Sequence, residues 1–192
     1  MNYTNCNLCP RRCCVDRTSG KTGFCRCPDT ALVAKTMLHK WEEPALAGAG
    51  GSGAIFFGGC TLGCAYCQNA AISCGPQGKP ASSAQLREMM EDLISQGAEN
   101  IDLVTPTHFL PTIVPALSPK LPVPVVYNCG GYERVETLQA LWESPSVATL
   151  LYRCGVDVDA ALAALPKDAE AVANPPAVLR RMTAKLKKEL TR

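Results

Sequence analysis

The sequence predicts an α/β fold of strand–helix units with a cysteine-rich segment ahead of it. Three observations carry this. From residue 54 onward, short apolar runs alternate with stretches of helical period. The runs are continuously apolar rather than alternating, as expected for strands buried on both faces of a parallel sheet. Glycine, proline or asparagine closes the first three of them, which is the punctuation of a βα unit.

Each element follows from its residues. Ala54-Ile55-Phe56-Phe57, stopped by Gly58-Gly59, is the first strand and its turn. Ser82 to Gln96 places Leu86, Met89, Met90, Leu93 and Ile94 at helical spacing, with Ser82 or Ser83 as the cap and Gly97 as the stop. Ile101 to Val104 is a second strand ending at Thr105-Pro106. A short helix through Ile113 to Leu117 follows Pro111. Val123 to Tyr127 is a third strand, closed by Asn128-Cys129-Gly130-Gly131. Val135, Leu138 and Leu141 give the next helix one apolar face. Val147 to Tyr152 reads as a fourth strand, followed by an Ala-rich helical region with a basic end at Lys185, Lys187 and Lys188. The chain thus divides into a cysteine-rich segment (1–47), a glycine-rich linker (48–53) and the βα region (54–192). Gly48-Ala-Gly50-Gly-Ser-Gly53 fits a dinucleotide-binding pattern but precedes a strand rather than following one. It therefore reads as a flexible linker.

The charge of +2 gives no nucleic-acid footprint. No apolar run approaches the roughly 20 residues of a membrane span, and Met1–Asn5 lacks the pattern of a secretory leader. The expected location is the cytoplasm, with neither nucleic acid nor membrane as partner. Twelve cysteines are abundant for 192 residues, and in a reducing compartment clustered thiols point to metal rather than to disulfides.

Two cysteine groups stand out. Cys60-Thr-Leu-Gly-Cys64-Ala-Tyr-Cys67 has the spacing C-x3-C-x2-C and directly follows a predicted buried strand. Thiolates suit iron–sulfur clusters and zinc. No fourth cysteine lies at close range. Three protein ligands on a cluster leave one iron open, and an open position marks a reactive metal site. The alternative is a zinc knuckle completed by Cys74. The second group is Cys6, Cys9, Cys13 and Cys25, four thiols able to take zinc or a second cluster, with Cys14 and Cys27 as further candidates.

The first motif resembles that of the radical S-adenosylmethionine (SAM) superfamily, and Cys64-Ala-Tyr-Cys67-Gln-Asn69 resembles its pyruvate formate-lyase activating enzyme branch. Cys6-Asn-Leu-Cys9-Pro-Arg-Arg-Cys13, Gly23-Phe-Cys25 and Trp41-Glu42-Glu43-Pro44 are similar to an activating-enzyme-related subgroup. So are Leu103-Val-Thr-Pro-Thr-His108-Phe109 and Val126-Tyr-Asn-Cys-Gly-Gly-Tyr132-Glu133. The likeness covers about residues 6 to 141 and fades beyond. It implies a partial (β/α) barrel of the radical SAM type, here shortened at its C-terminus. It also implies a [4Fe–4S] cluster on Cys60, Cys64 and Cys67, with SAM chelating the remaining iron. Tyr66 takes the position that lies near the adenine in this superfamily. Thr105, Thr107, His108 and Asn128, at the C-terminal ends of predicted strands, are candidates for contacting the cofactor or the hydrogen donor. The implied chemistry is reductive cleavage of SAM to a 5′-deoxyadenosyl radical. The implied partners are an electron donor such as flavodoxin or ferredoxin and a protein substrate. The alternatives are an iron–sulfur or zinc-binding module, or a shortened relative without SAM turnover.

Overall fold

The structure, a computed structural model, describes residues 1–42 and 48–142. The expected strand at Val147–Tyr152 and the basic C-terminal helix lie outside the described residues. Five strands form one sheet in the order β3-β1-β2-β4-β5. These are β1 (Ala31–His39), β2 (Ser52–Phe57), β3 (Lys79–Ala81), β4 (Asn100–Val104) and β5 (Val125–Asn128). Four helices accompany them: α1 (Ala70–Ser73), α2 (Ser83–Ser95), α3 (Leu110–Ala116) and α4 (Val135–Trp142). Among the described residues the sheet is open, with β3 and β5 as its outer strands.

The parallel part of the sheet is the part visible in the sequence. β2 pairs with β4 and β4 with β5, both parallel, so that Phe56, Val104 and Asn128 come level at one edge. Leu86, Met90 and Leu93 of α2 and Ile113 of α3 join Ile55, Phe57, Ile101, Leu103 and Val125 in one buried core. Ser82 caps α2 in a reciprocal box with Gln85, satisfying two amides that the helix start leaves without partners.

The rest of the sheet departs from expectation. β1 lies in the segment read as a cysteine-rich appendage and pairs antiparallel with both β2 and β3, so the sheet is mixed rather than wholly parallel. Consecutive strands can pair antiparallel without the crossover that parallel neighbours need. Ala31, Leu32 and Val33 are buried in the common core, which ties this part of the N-terminal segment to the βα region.

The glycine run is not a free linker where it is described. Ser52 and Gly53 already belong to β2. The Gly50 amide donates to Glu99 Oε1 at 2.6 Å, and the Glu99 amide donates to the Gly51 carbonyl at 2.9 Å. Gly51 has φ +91°, and a side chain there would press on the His39 carbonyl. Glycine is used here for close backbone approach as well as for its left-handed conformation.

Candidate metal centre

All three parallel strands deliver their C-terminal ends to one edge, where sheets of this kind gather ligand chemistry. The segment after β2 carries Cys60, Cys64 and Cys67; the one after β4 carries Thr105 to Phe109; the one after β5 carries Cys129 to Arg134.

The cysteine segment is anchored from below and from the side. Gly58 donates its amide to the Leu32 carbonyl of β1, and Gly59 to the Ile72 carbonyl of α1. Gly59 has φ +74°, and a side chain there would collide with the Cys27 sulfur and the Cys25 carbonyl, so only glycine passes. Arg11 donates from Nε to the Thr61 carbonyl at 3.2 Å and from Nη2 to the Leu62 carbonyl at 3.0 Å, gripping the chain between Cys60 and Cys64.

Cys60, Cys64 and Cys67 are half-buried free thiols. The Leu62 amide donates to the Cys60 sulfur at 3.3 Å, and the Ser73 hydroxyl to the Cys67 sulfur at 3.3 Å. Hydrogen bonds to the sulfurs tune iron–sulfur centres. Among the described residues, no three His, Cys, Asp or Glu side chains stand in the geometry of a single-ion site. The donor set, three thiols on one short segment with amide and hydroxyl donors turned toward sulfur, fits a cluster. Cys74 is exposed beyond α1, and the Arg26 guanidinium bonds its carbonyl.

The remaining candidates take distinct places. Tyr66 is 91% exposed, an aromatic ring open to solvent beside Cys67. Thr105 has φ +57°, a genuine outlier for a β-branched residue, held by its amide bonding to the Asn128 carbonyl at 2.8 Å. The Asn128 side chain, exposed on its other side, donates from Nδ2 to Asp102 Oδ2 at 3.3 Å. His108 is buried under the segment instead of standing open to it, and its Nε2 lies 2.8 Å from the Gly58 carbonyl. Burial pushes its pKa down to about 4, so the ring is neutral and Nε2 carries the proton given to that carbonyl.

Three groups near this edge were given no role by the sequence. Asp102 is wholly buried in β4, and desolvation raises its carboxyl to about 6 against the opposing effect of Asn128; Glu42 adds to the rise. Only its setting in an apolar strand could have flagged it. Tyr127 and Glu133 form a second network: the Tyr127 hydroxyl lies 2.7 Å from Thr107 Oγ1 and donates to Glu133 Oε2 at 3.4 Å. Burial raises Glu133 to about 7, placing a proton-exchanging carboxyl at the edge that carries the cysteines.

Residues 46–115 match a family model described as a 4Fe-4S single cluster domain, a family seen among radical SAM-related proteins. The matched stretch includes Cys60, Cys64 and Cys67, and it points to iron–sulfur binding. The chain is also similar to an uncharacterized protein of Methanocaldococcus jannaschii, 32% identical over an alignment of 153 residues that covers 72% of this chain. This chain spans 42% of that relative's length. No solved structure matches the chain. Among the described residues, no helix is long and apolar enough to cross a membrane.

Proposed function

We propose that the chain is a radical SAM protein of the activating-enzyme-like kind, with Cys60, Cys64 and Cys67 holding a [4Fe–4S] cluster and SAM bound beside it at the C-terminal edge of β2, β4 and β5. The observation that carries this reading is the C-x3-C-x2-C segment on the turn after a core strand, inside the stretch that matches a single-cluster domain. When bound, such a cluster supplies the electron that splits the SAM sulfonium C–S bond, giving methionine and a 5′-deoxyadenosyl radical.

The protein's own residues bind, orient and shield. Three thiolates from one segment would leave a coordination position for the amino and carboxylate groups of SAM. Tyr66 offers an unobstructed ring face for the adenine. Thr105 and Asn128, locked together through their backbones, present polar groups where the ribose or the hydrogen donor would lie. His108 acts from beneath, holding the Gly58 carbonyl and through it the start of the cysteine segment. Glu133 can hold or release a proton at its carboxylate near neutral pH. In this reading the barrel is partial, the electron donor is a small flavodoxin- or ferredoxin-like protein, the hydrogen donor is a protein, and the setting is a reducing cytoplasm.

The deciding experiment incubates the anaerobically reconstituted full chain with SAM and a reductant and measures 5′-deoxyadenosine by mass spectrometry. Formation of the product in the wild type and its loss in Cys64→Ala support the reading. A cluster-loaded chain that yields no 5′-deoxyadenosine favours an electron-transfer module instead.

A further inference from the structure

Residues 6–27 lie outside the stretch that matches the cluster domain, yet they are folded around sulfur. The Cys6 amide donates to the Val15 carbonyl at 3.0 Å, the Cys14 amide to the Cys6 carbonyl at 2.9 Å, and the Arg12 amide to the Cys9 carbonyl at 3.1 Å. These bonds wind the chain so that the Cys9 thiol has Cys13, Cys25 and Cys6 as neighbours. Three residues other than glycine take left-handed conformations here: Arg12 at φ +43°, Cys14 at +52° and Arg26 at +60°. Such strain persists only where the surroundings demand it, and it concentrates at functional sites.

Backbone amides face three of the four sulfurs. The Phe24 amide donates to Cys13 at 3.3 Å; the Arg11 amide faces Cys9 and the Cys27 amide faces Cys25. A side chain at Gly23 would meet the Cys13 sulfur at 2.7 Å, so the backbone is pressed against it. Amide-to-sulfur bonds of this kind orient and stabilise metal-bound thiolates.

A second, independent feature points to an anion. Arg17 is 1% exposed. Its guanidinium bonds the Pro28 carbonyl and, at 2.6 Å, the His108 carbonyl, and turns Nη1 to the Cys6 sulfur at 3.8 Å. Among the described residues, no carboxylate pairs with it. The Tyr3 ring lies over the guanidinium at 4.5 Å, but neither a ring nor a carbonyl supplies the full negative charge that balances a permanently charged side chain removed from water. A metal held by four thiolates carries one.

We propose that Cys6, Cys9, Cys13 and Cys25 form a second, closed four-thiolate metal centre, taking a zinc ion or an iron–sulfur cluster, distinct from the Cys60–Cys67 site. The donor chemistry is common to both metals, and a site with four protein ligands is structural. As they stand these sulfurs are not in the geometry of a single-ion site; metal binding would deprotonate the thiols and draw them together, and its free energy becomes folding free energy for a segment with little apolar core of its own. Cys14 is exposed, and the buried Cys27 thiol lies 3.3 and 3.2 Å from the Gly58 and Cys25 carbonyls and also faces the Cys25 sulfur, which makes it a hydrogen-bonding neighbour of the set rather than a member. Through Arg11, which reaches the Thr61 and Leu62 carbonyls, the centre would brace the segment that carries the other cysteines.

The test uses the full chain with Cys60, Cys64 and Cys67 all changed to Ala, which empties the first site and isolates the second. It is reconstituted anaerobically with zinc, or with iron and sulfide, and its metal and sulfide content measured after gel filtration. One zinc ion per chain, or one cluster's complement of iron and sulfide, is expected to remain; which of the two identifies the metal. Adding Cys9→Ala or Cys13→Ala should lower the loading at least tenfold, while Cys14→Ala should leave it unchanged. Gly23→Ala, which keeps all four thiols, should weaken retention against a competing chelator, so the conclusion does not rest on cysteine variants alone. If the triple variant keeps neither metal, or if Cys9→Ala and Cys13→Ala load fully, the proposal is overturned. The same holds if Cys14→Ala loses metal as completely as Cys9→Ala. Because SAM chemistry is absent from the background, these outcomes are independent of the function proposed above.

Discussion

His108 Nε2 and the Gly58 carbonyl lie 2.8 Å apart, both buried, joining the turn after β4 to the turn after β2 two residues before Cys60. The bond makes the histidine a support of the cysteine segment. Among the described residues its other nitrogen, Nδ1, is buried without a partner, and burial holds the ring in its neutral form.

Replacing His108 by Ala strands a buried carbonyl and opens a cavity against Phe109, whose ring centroid is 4.2 Å from that of His108. A loss of about 2–4 kcal/mol is expected, read as a fall in the midpoint of chemical denaturation. Iron loading should fall with it, since the segment is less well held. Protonation acts in the same direction. The unfolded histidine binds its proton near pH 6.5 and the folded one near 4, so the contribution of His108 to stability is lost as pH falls across that window.

Asp102 has the opposite sign. Its folded pKa, about 6, is above its unfolded value of 3.8, so its contribution is fully present at low pH and is lost as pH rises through 6. Asp102→Asn keeps an acceptor for Asn128 and cannot ionise. It should therefore stabilise the protein at pH 8 by up to about 3 kcal/mol, with the gain shrinking toward zero by pH 4. Thermal melts of both proteins across that range check the sign. A gain that grows as pH falls contradicts the assignment.

Thr105 stores backbone strain at the edge where SAM is proposed to bind. Thr105→Gly should raise stability by about 1 kcal/mol, because glycine adopts φ +57° freely. If the conformation serves cofactor contact through the side chain, 5′-deoxyadenosine formation should fall in the same variant. A more stable chain with unchanged product formation would reduce Thr105 to a turn residue.

The parts of this molecule legible in its sequence are those where a local pattern suffices. Cys60, Cys64 and Cys67 announce themselves by spacing; β2 and β4 do so because both of their faces are buried, which leaves apolar runs; α2 does so by period and cap. β1 was hidden because only Ala31 to Val33 are fully buried, while Lys35 and Thr36 reach solvent, and because the cysteines before it suggested an appendage. Gly50 and Gly51 read as linker because their partner, Glu99, is distant in sequence. Asp102, Arg17 and Glu133 depend on burial created by the whole fold, which no local pattern records.

The most direct test of the central claim is electron paramagnetic resonance of the anaerobically reconstituted, dithionite-reduced full chain, recorded with and without SAM and beside Cys64→Ala. The account predicts a reduced [4Fe–4S] signal whose shape changes when SAM is added and which is lost in Cys64→Ala. A signal of equal intensity in Cys64→Ala, or no cluster signal in the wild type, contradicts it.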